Sequence, residues 1–271
     1  MKKLELPSVT LAAISGVKIF STIQALKYSM RCIKFGDAIF ITNKKPLCIP
    51  KNIRFEYAKI KTINDYNYLV MYDLHKFIQT QYVLIVHYDG FIINPHKWQN
   101  SFLDYDYIGA PWPKERQIFD ANGNLVQVGN GVGLRSKRLL EIASALKLPF
   151  EPYDGLYSED SLICIKYRHL FEQNGIKFAP VEMAEHFSHE QYAPKNITPF
   201  MFHDFKYKRI DRFIWFAHLP VIAEIGRSIW FVHLPALAKK SIRLFLWFVP
   251  PVIYKLPAKI WSIFKYMRNK K

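Results

Sequence analysis

The stretch YVLIVHYDGFIINP, residues 82–95, runs five apolar or aromatic positions into His87, Tyr88, Asp89 and Gly90 before a second apolar run begins. If residues 82–86 form a buried strand, His87 and Asp89 emerge at its carboxyl end, where a ligand would sit. An aspartate there suits a hard divalent cation, which takes carboxylate and water oxygens and bridges a diphosphate. Gly90 removes a side chain that would crowd an approaching phosphate or metal. The same Asp89-Gly90 pair also suits a plain turn between two strands.

Two further segments bring candidate chemistry. VGNGVGLRSKRLL, residues 128–140, sets three glycines around Asn130 ahead of a basic helix start. The N–H groups of a glycine-rich loop can reach an acceptor, so Asn130 and Gly131 join His87, Asp89 and Gly90 as candidate cofactor contacts. Neither the P-loop pattern nor the dinucleotide fingerprint is present. YSEDSLIC, residues 157–164, puts Ser158 before Glu159 and Asp160 at the start of an apolar helix. A capped helix whose acids complement its dipole accounts for them without chemistry. EHFSHE spaces His186 and His189 three apart among acids, but it lacks HExxH spacing and reads as a polar loop or a satisfied pair.

These residues need elements to hold them. Residues 9–16 form a short apolar run, residues 20–32 have helical spacing, and DAIFITN closed by Asn43 suits a second strand. FEYAKI suits a third strand, and residues 64–79 suit a helix with Asn64 at its cap. DYIGAPW ends another strand at residues 109–111. Strands alternating with helices indicate βαβ units and an α/β fold with a mainly parallel, two-sided sheet. In such sheets ligands bind beyond the carboxyl ends of the strands.

The chain has 271 residues, half of them hydrophobic, and a net charge of +16. From residue 206 onward 14 Lys and Arg face 2 acids, which leaves 24 basic and 20 acidic residues before it. Twelve of the sixteen excess charges therefore sit in the last quarter of the sequence, and with no recognition motif present a nucleic-acid partner is not expected. Cys32, Cys48 and Cys164 are scattered, giving no zinc or disulfide framework and suggesting a reducing compartment. The opening MKKLELPSVT lacks the apolar run of a signal peptide, so export is not expected and the sequon Asn196-Ile197-Thr198 carries no meaning.

The order of a strand ending in Asp-Gly, then DYIGAPW, GNGVGLRS, SED and PFMFHDF resembles a GT-A-like bacterial glycosyltransferase group marked by a DYIGAPW box and a GNGG-type box. The resemblance spans roughly residues 6–205, and residues 106–112 with Gly129-Asn130-Gly131 are its most specific part. It implies a GT-A-like, Rossmann-like domain over 1–205. It also implies transfer of a sugar from a nucleotide-sugar donor, a UDP-sugar above all, to a glycan or glycolipid acceptor. In the GT-A pattern a strand-end Asp-x-Asp holds Mn2+ or Mg2+ against the diphosphate. The matching triplet here is His87-Tyr88-Asp89, with only the second acid present, so Asp89 is the acid expected on the metal. A late histidine that completes the metal site matches His203. The acidic pair at a helix start matches Glu159 and Asp160, with Asp160 the general base and inversion the expected outcome. Val132 replaces the second glycine of the glycine box.

In the tail, residues 206–271, IWFAHLP recurs as IWFVHLP fifteen residues later, beside basic clusters. Its uncharged stretches are too short to span a bilayer. Amphipathic helices lying on an anionic membrane surface fit better, so the expected location is the inner face of the cytoplasmic membrane. The acceptor expected from the resemblance is a surface glycan of lipopolysaccharide, O-antigen or capsule type. The alternative is a non-catalytic, membrane-tethered glycan-binding or scaffold protein on the same fold.

Overall fold

The computed structural model of the chain describes residues 3–204, which belong to the first of two units, Met1–Asp211 and Arg212–Lys271. The expected amphipathic tail, with its repeats and its boundary near residue 205, lies outside the described residues. Among those residues no helix is long and apolar enough to cross a membrane.

A six-stranded sheet carries the fold, with strand order β3-β2-β1-β4-β6-β5. Strands β1 (Leu4–Ile14), β2 (Ile33–Thr42), β3 (Arg54–Tyr57) and β4 (Tyr82–Val86) run parallel, and β6 (Val128–Ser136) is antiparallel to both β4 and β5 (Tyr107–Pro111). Val9, Leu11, Ala12 and Ala13 in β1 and residues 83–86 in β4 are all buried. Burial on both faces is what makes near-continuous apolar runs the signature of central parallel strands. The register pairs Ala13 with Val86, so β1 and β4 end side by side and their exit loops share one edge.

Helices cover the sheet. α1 (Ile19–Ser29) buries Thr22, Ile23, Leu26 and Ser29, one stripe at helical spacing. α2 (Ile63–Tyr68) begins at Thr62 rather than at the Asn64 cap the sequence suggested. Asp65 decides the start: Thr62 Oγ1 accepts from Asp65 N at 3.1 Å, and the Asp65 carboxylate accepts from Thr62 N at 2.8 Å, a reciprocal capping box. The helix continues through a widened turn, Leu69–Asp73, and a tight one, Leu74–Phe77. After α3 (Lys137–Ala145) come α4 (Glu159–Ser161), a second widened turn over Leu162–Lys166, and α5 (Arg168–Gln173). Tyr66, Val70, Leu139, Leu162 and Phe171 from these segments pack in one core against Ile39, Ile41 and Ile85 of the sheet.

The chain then returns to the tip of β4. α6 (Val181–Phe187) leads into β7 (Ser188–His189), which pairs in parallel with β8 (Met201–Phe202). Edge-on aromatic contacts of Phe102 with Phe187 (5.1 Å) and of Phe91 with Phe202 (4.9 Å) hold this return. Ile92 bridges to Met201, and Asp204 N donates to Asp89 O at 3.0 Å.

The glycine box is not a loop, contrary to the sequence expectation: it is β6, an inner strand of the sheet. Ala110 pairs with Gly129 and Ile108 with Leu134, so one residue of β5 faces four of β6 and a bulge forms over residues 130–133. At Gly129 an added Cβ would lie 2.0 Å from Trp112 Cζ2. The conspicuous glycine therefore seats the tryptophan of the neighbouring DYIGAPW strand. Asp106 of the same box accepts from Ser136 Oγ (2.6 Å) and Lys177 N (2.9 Å), tying β5 to the start of α3. Gly129→Ala should therefore overpack the sheet and cost about 1–3 kcal/mol, the usual penalty for inserted core volume. A lowered denaturant midpoint at unchanged slope is the expected reading, and an unchanged midpoint would contradict the packing.

Candidate functional site

The tip of β4 closes on itself. His87 N donates to Gly90 O at 2.7 Å and Gly90 N to His87 O at 3.3 Å, which leaves Tyr88 and Asp89 at the apex of a tight turn. The turn expected of Asp89-Gly90 is present, and it leaves room for candidate ligand side chains beside it. Among the described residues, His87, Asp89 and His203 each offer a ligand atom, all within 4.8 Å of one another. His203 Nε2 lies 3.9 Å from Asp89 Oδ1, and the two imidazole rings meet edge to face at 5.5 Å. Two imidazoles and a carboxylate at this spacing fit a divalent cation, and His87 belongs to the set along with Asp89 and His203.

Gly90 has a different role from the one expected. It is buried, and an added Cβ would stand 2.7 Å from His203 Cδ2 and 2.9 Å from Val132 Cγ2. Its missing side chain makes room for the His203 ring, not for a phosphate.

Both histidines are held from behind. Tyr66 Oη and His87 Nε2 are 2.7 Å apart, and His203 Nδ1 and Glu190 Oε1 are 3.0 Å apart. Burial, then the neighbouring His203 and Arg135, lower the His87 pKa to about 3, so this ring is neutral near pH 7. Burial works against the charged form of His203 as well, but the hydrogen bond and charge of Glu190 with the charge of Asp89 raise its pKa above the ordinary 6.5.

Gly131 connects this cluster to the acidic pair. A Cβ there would meet Glu159 Oε1 at 3.2 Å, His87 Cε1 at 3.6 Å and Tyr66 Oη at 3.7 Å. Glu159 is buried, and its Oε1 pairs at 2.8 Å with Arg135 Nη2, whose own side chain is fully buried. Glu159 Oε2 accepts from Asp160 N at 2.6 Å. Glu159, expected as catalytic alongside Asp160, is therefore engaged at both oxygens, by Arg135 and by the Asp160 amide. Asp160 is half-buried, and Ser158 Oγ and Ser161 N both donate to its Oδ1. Among the described residues no hydrogen bond falls on its Oδ2. Burial, with the Glu159 charge next, raises the Asp160 pKa above the ordinary 3.8, which makes it a better proton acceptor than a solvated aspartate.

Asn130, a candidate cofactor contact, is buried in the left-handed region at φ 108. Its Oδ1 accepts from Val132 N at 2.9 Å and its carbonyl from Tyr107 Oη at 2.6 Å, so it shapes the bulge that presents Gly131. A cleft of about 240 Å3 opens beside the cluster, walled by Gly16 and Val17 after β1, by Thr62 and Tyr66 at α2, and by His87 and Tyr88. It lies beyond the carboxyl ends of β1 and β4, where open α/β sheets take ligands.

Four residues at this site escaped the sequence reading: Tyr66, Asn67, Arg135 and Glu190. Asn67 Nδ2 donates to Tyr157 O at 2.5 Å, fixing the approach to Glu159. Glu190 belongs to the EHFSHE segment set aside as a polar loop; its acid, not its histidines, reaches the cluster. His189 is satisfied by Glu185 O at 2.9 Å, and neither it nor His186 joins the ligand group.

Fold and site together define an α/β protein with a mostly parallel sheet and a candidate metal cluster at a central strand tip. The chain belongs to the family described as "Protein of unknown function (DUF5672)", which matches residues 50–203 and so takes in His87, Asp89, Asp160, Glu190 and His203. No curated protein matches the chain.

Burial depresses the His189 pKa from 6.5 to about 4. A depressed histidine leaves the unfolded chain binding more protons between those values, so stability is complete above pH 6.5 and falls as pH drops towards 4. In a series of thermal melts across that window, His189→Gln should show a shallower decline than the parent. Identical slopes would argue against a neutral, buried His189.

Proposed function

We propose that the chain is a glycosyltransferase that moves a sugar from a nucleotide-sugar donor, a UDP-sugar foremost, to a hydroxyl of a surface-glycan acceptor of lipopolysaccharide, O-antigen or capsule type. One observation carries this reading. His87 of the His87, Asp89 and His203 cluster lines the strand-end cleft together with Tyr66, and both border Gly131, against which the buried Glu159 lies. A donor diphosphate, a cation and a base would therefore have adjoining seats.

His87, Asp89 and His203 would hold the cation, which when bound neutralises charge on the departing diphosphate. Tyr66 and Glu190 keep the two imidazoles oriented. Asp160 takes the proton of the acceptor hydroxyl as its oxygen bonds to the anomeric carbon and the bond from that carbon to the diphosphate oxygen breaks. A single direct displacement of this kind inverts the anomeric centre. Arg135 holds Glu159, and through the Asp160 amide Glu159 holds the base in place.

Thermal stabilisation by a panel of nucleotide sugars, with and without a divalent cation, tests the reading together with turnover. A cation-dependent shift with one nucleotide is expected, and Asp89→Ala should abolish it. Asp160→Asn should keep the shift and slow transfer by a factor on the order of a hundred, as for loss of general-base catalysis. The acid limb of the transfer rate should lie above the ordinary aspartate pKa of 3.8, because the protonated carboxyl cannot accept a proton and its pKa is raised. Binding without turnover would favour a glycan-binding protein, and equal turnover in Asp160→Asn would remove the base.

We also propose that residues 206–271 attach the enzyme to the inner face of the cytoplasmic membrane, given their 14 basic and 2 acidic residues interleaved with Trp and Phe. The full chain should sediment with anionic vesicles at low salt and be partly released at high salt. If it stays in the supernatant at low salt, the attachment is wrong.

A further inference from the structure

We infer that the strand-tip site selects nitrogen-accepting transition ions such as Co2+ and Zn2+ over Mg2+, with Glu190 acting as the positioning residue that makes His203 a ligand. This rests on the reading of His87, Asp89 and His203 as the metal group of the proposed transferase, and it narrows the Mn2+ or Mg2+ that the resemblance implied.

The donor set decides the class of ion. Mg2+ demands near-octahedral oxygen coordination and is usually held by one or two carboxylates plus phosphates. Imidazole suits Zn, Cu, Fe and Ni, and divalent affinity at mixed nitrogen and oxygen sites rises from Mn2+ through Fe2+ and Co2+. Here the position that carries an acid in the resembling group is His87, so the protein contributes two imidazoles and one carboxylate within 4.8 Å. That exchange removes one hard oxygen ligand and one negative charge, both of which favour Mg2+, and supplies a nitrogen that Mg2+ uses poorly. Three protein ligands also leave coordination positions open for substrate oxygens, as catalytic metal sites do.

The groups behind the two rings, Glu190 and Tyr66, suit imidazole ligation. Metal-bound histidines characteristically donate their other ring N–H to a carboxylate, which fixes tautomer and ring orientation and raises ligand basicity. His203 Nδ1 stands 3.0 Å from Glu190 Oε1, and its Nε2 faces Asp89 Oδ1 at 3.9 Å. His203 N also donates to His189 O at 2.9 Å, which anchors the backbone beside Glu190. The His87 ring is restrained by Tyr66 Oη at 2.7 Å and packs edge to face with His203. The missing Cβ at Gly90, 2.7 Å from the His203 ring, completes the seat. The two rings therefore converge on the Asp89 carboxylate instead of stacking on each other.

The test uses the full chain, stripped with a chelator and titrated with Mg2+, Mn2+, Co2+ or Zn2+ by calorimetry, with the visible absorption of bound Co2+ as an independent signal. Co2+ and Zn2+ should bind at least about tenfold more tightly than Mg2+, with Mn2+ between them. His87→Ala and His203→Ala should lose the Co2+ absorption, and His87→Asp should shift the preference towards Mg2+. Glu190→Gln should weaken Co2+ binding about 10–100-fold, and Glu190→Asp should recover part of the loss. Mg2+ binding as tight as Co2+, or Co2+ affinity unaffected by His87→Ala, would overturn the inference. Nucleotide-sugar stabilisation that persists with Mg2+ in His87→Ala would overturn it while leaving the transferase standing. Normal Co2+ binding with no response to any nucleotide sugar would do the reverse.

Discussion

A guanidinium with no surface in water has to be answered by a counter-charge, and in this protein that requirement organises everything around the cleft. Arg135 is fully buried on β6 and packs over the Tyr107 ring at 5.4 Å. Burial opposes its charge, yet Glu159 at 2.8 Å holds its pKa above the ordinary value. Breaking such a pair by removing one partner typically costs about 3–5 kcal/mol, because the survivor is left charged and unpaired. Glu159 must therefore come to Arg135, and it brings Asp160 with it.

The same constraint explains the irregular strand beside it. A regular β6 would carry side chains through the space that Glu159, His87 and Tyr66 share. The bulge at residues 130–133, entered through Asn130 at φ 108, puts Gly131 there instead. Asn130 is held by its own amide contact to Val132 and by Tyr107, so the strain is anchored on both sides. Strain of this kind persists where surrounding contacts over-determine it, and such places cluster at functional sites.

On the opposite wall, the segment from α6 to β8 is recruited to the β4 tip by apolar packing, with polar chemistry following. Phe187, Phe200 and Phe202 are fully buried and grip Phe91 and Phe102. Once that aromatic return is docked, Glu190 and His203 face each other and His203 faces Asp89. The grouping of His87, Asp89 and His203 thus depends on a hydrophobic contact between segments about a hundred residues apart in sequence.

The sequence by itself determined the mostly parallel α/β sheet, the strand ending at His87 and Asp89, the helix start at Glu159 and Asp160, and the concentration of surplus positive charge in the last quarter. Each of these is local: an apolar run, a period or a composition can be read without knowing its neighbours. Its glycine box misled for the same reason, since a glycine that admits Trp112 and one that faces a ligand look alike until the adjoining strand is in place. Only the tertiary structure decided that Gly90 seats an imidazole, that Glu159 is spent on Arg135, that Glu190 orients His203, and that His87 gathers with Asp89 and His203. These roles arise from contacts across 13 to over 100 residues of chain. Such contacts leave no period in the sequence, because they are set by how the sheet, its bulge and its aromatic return pack together.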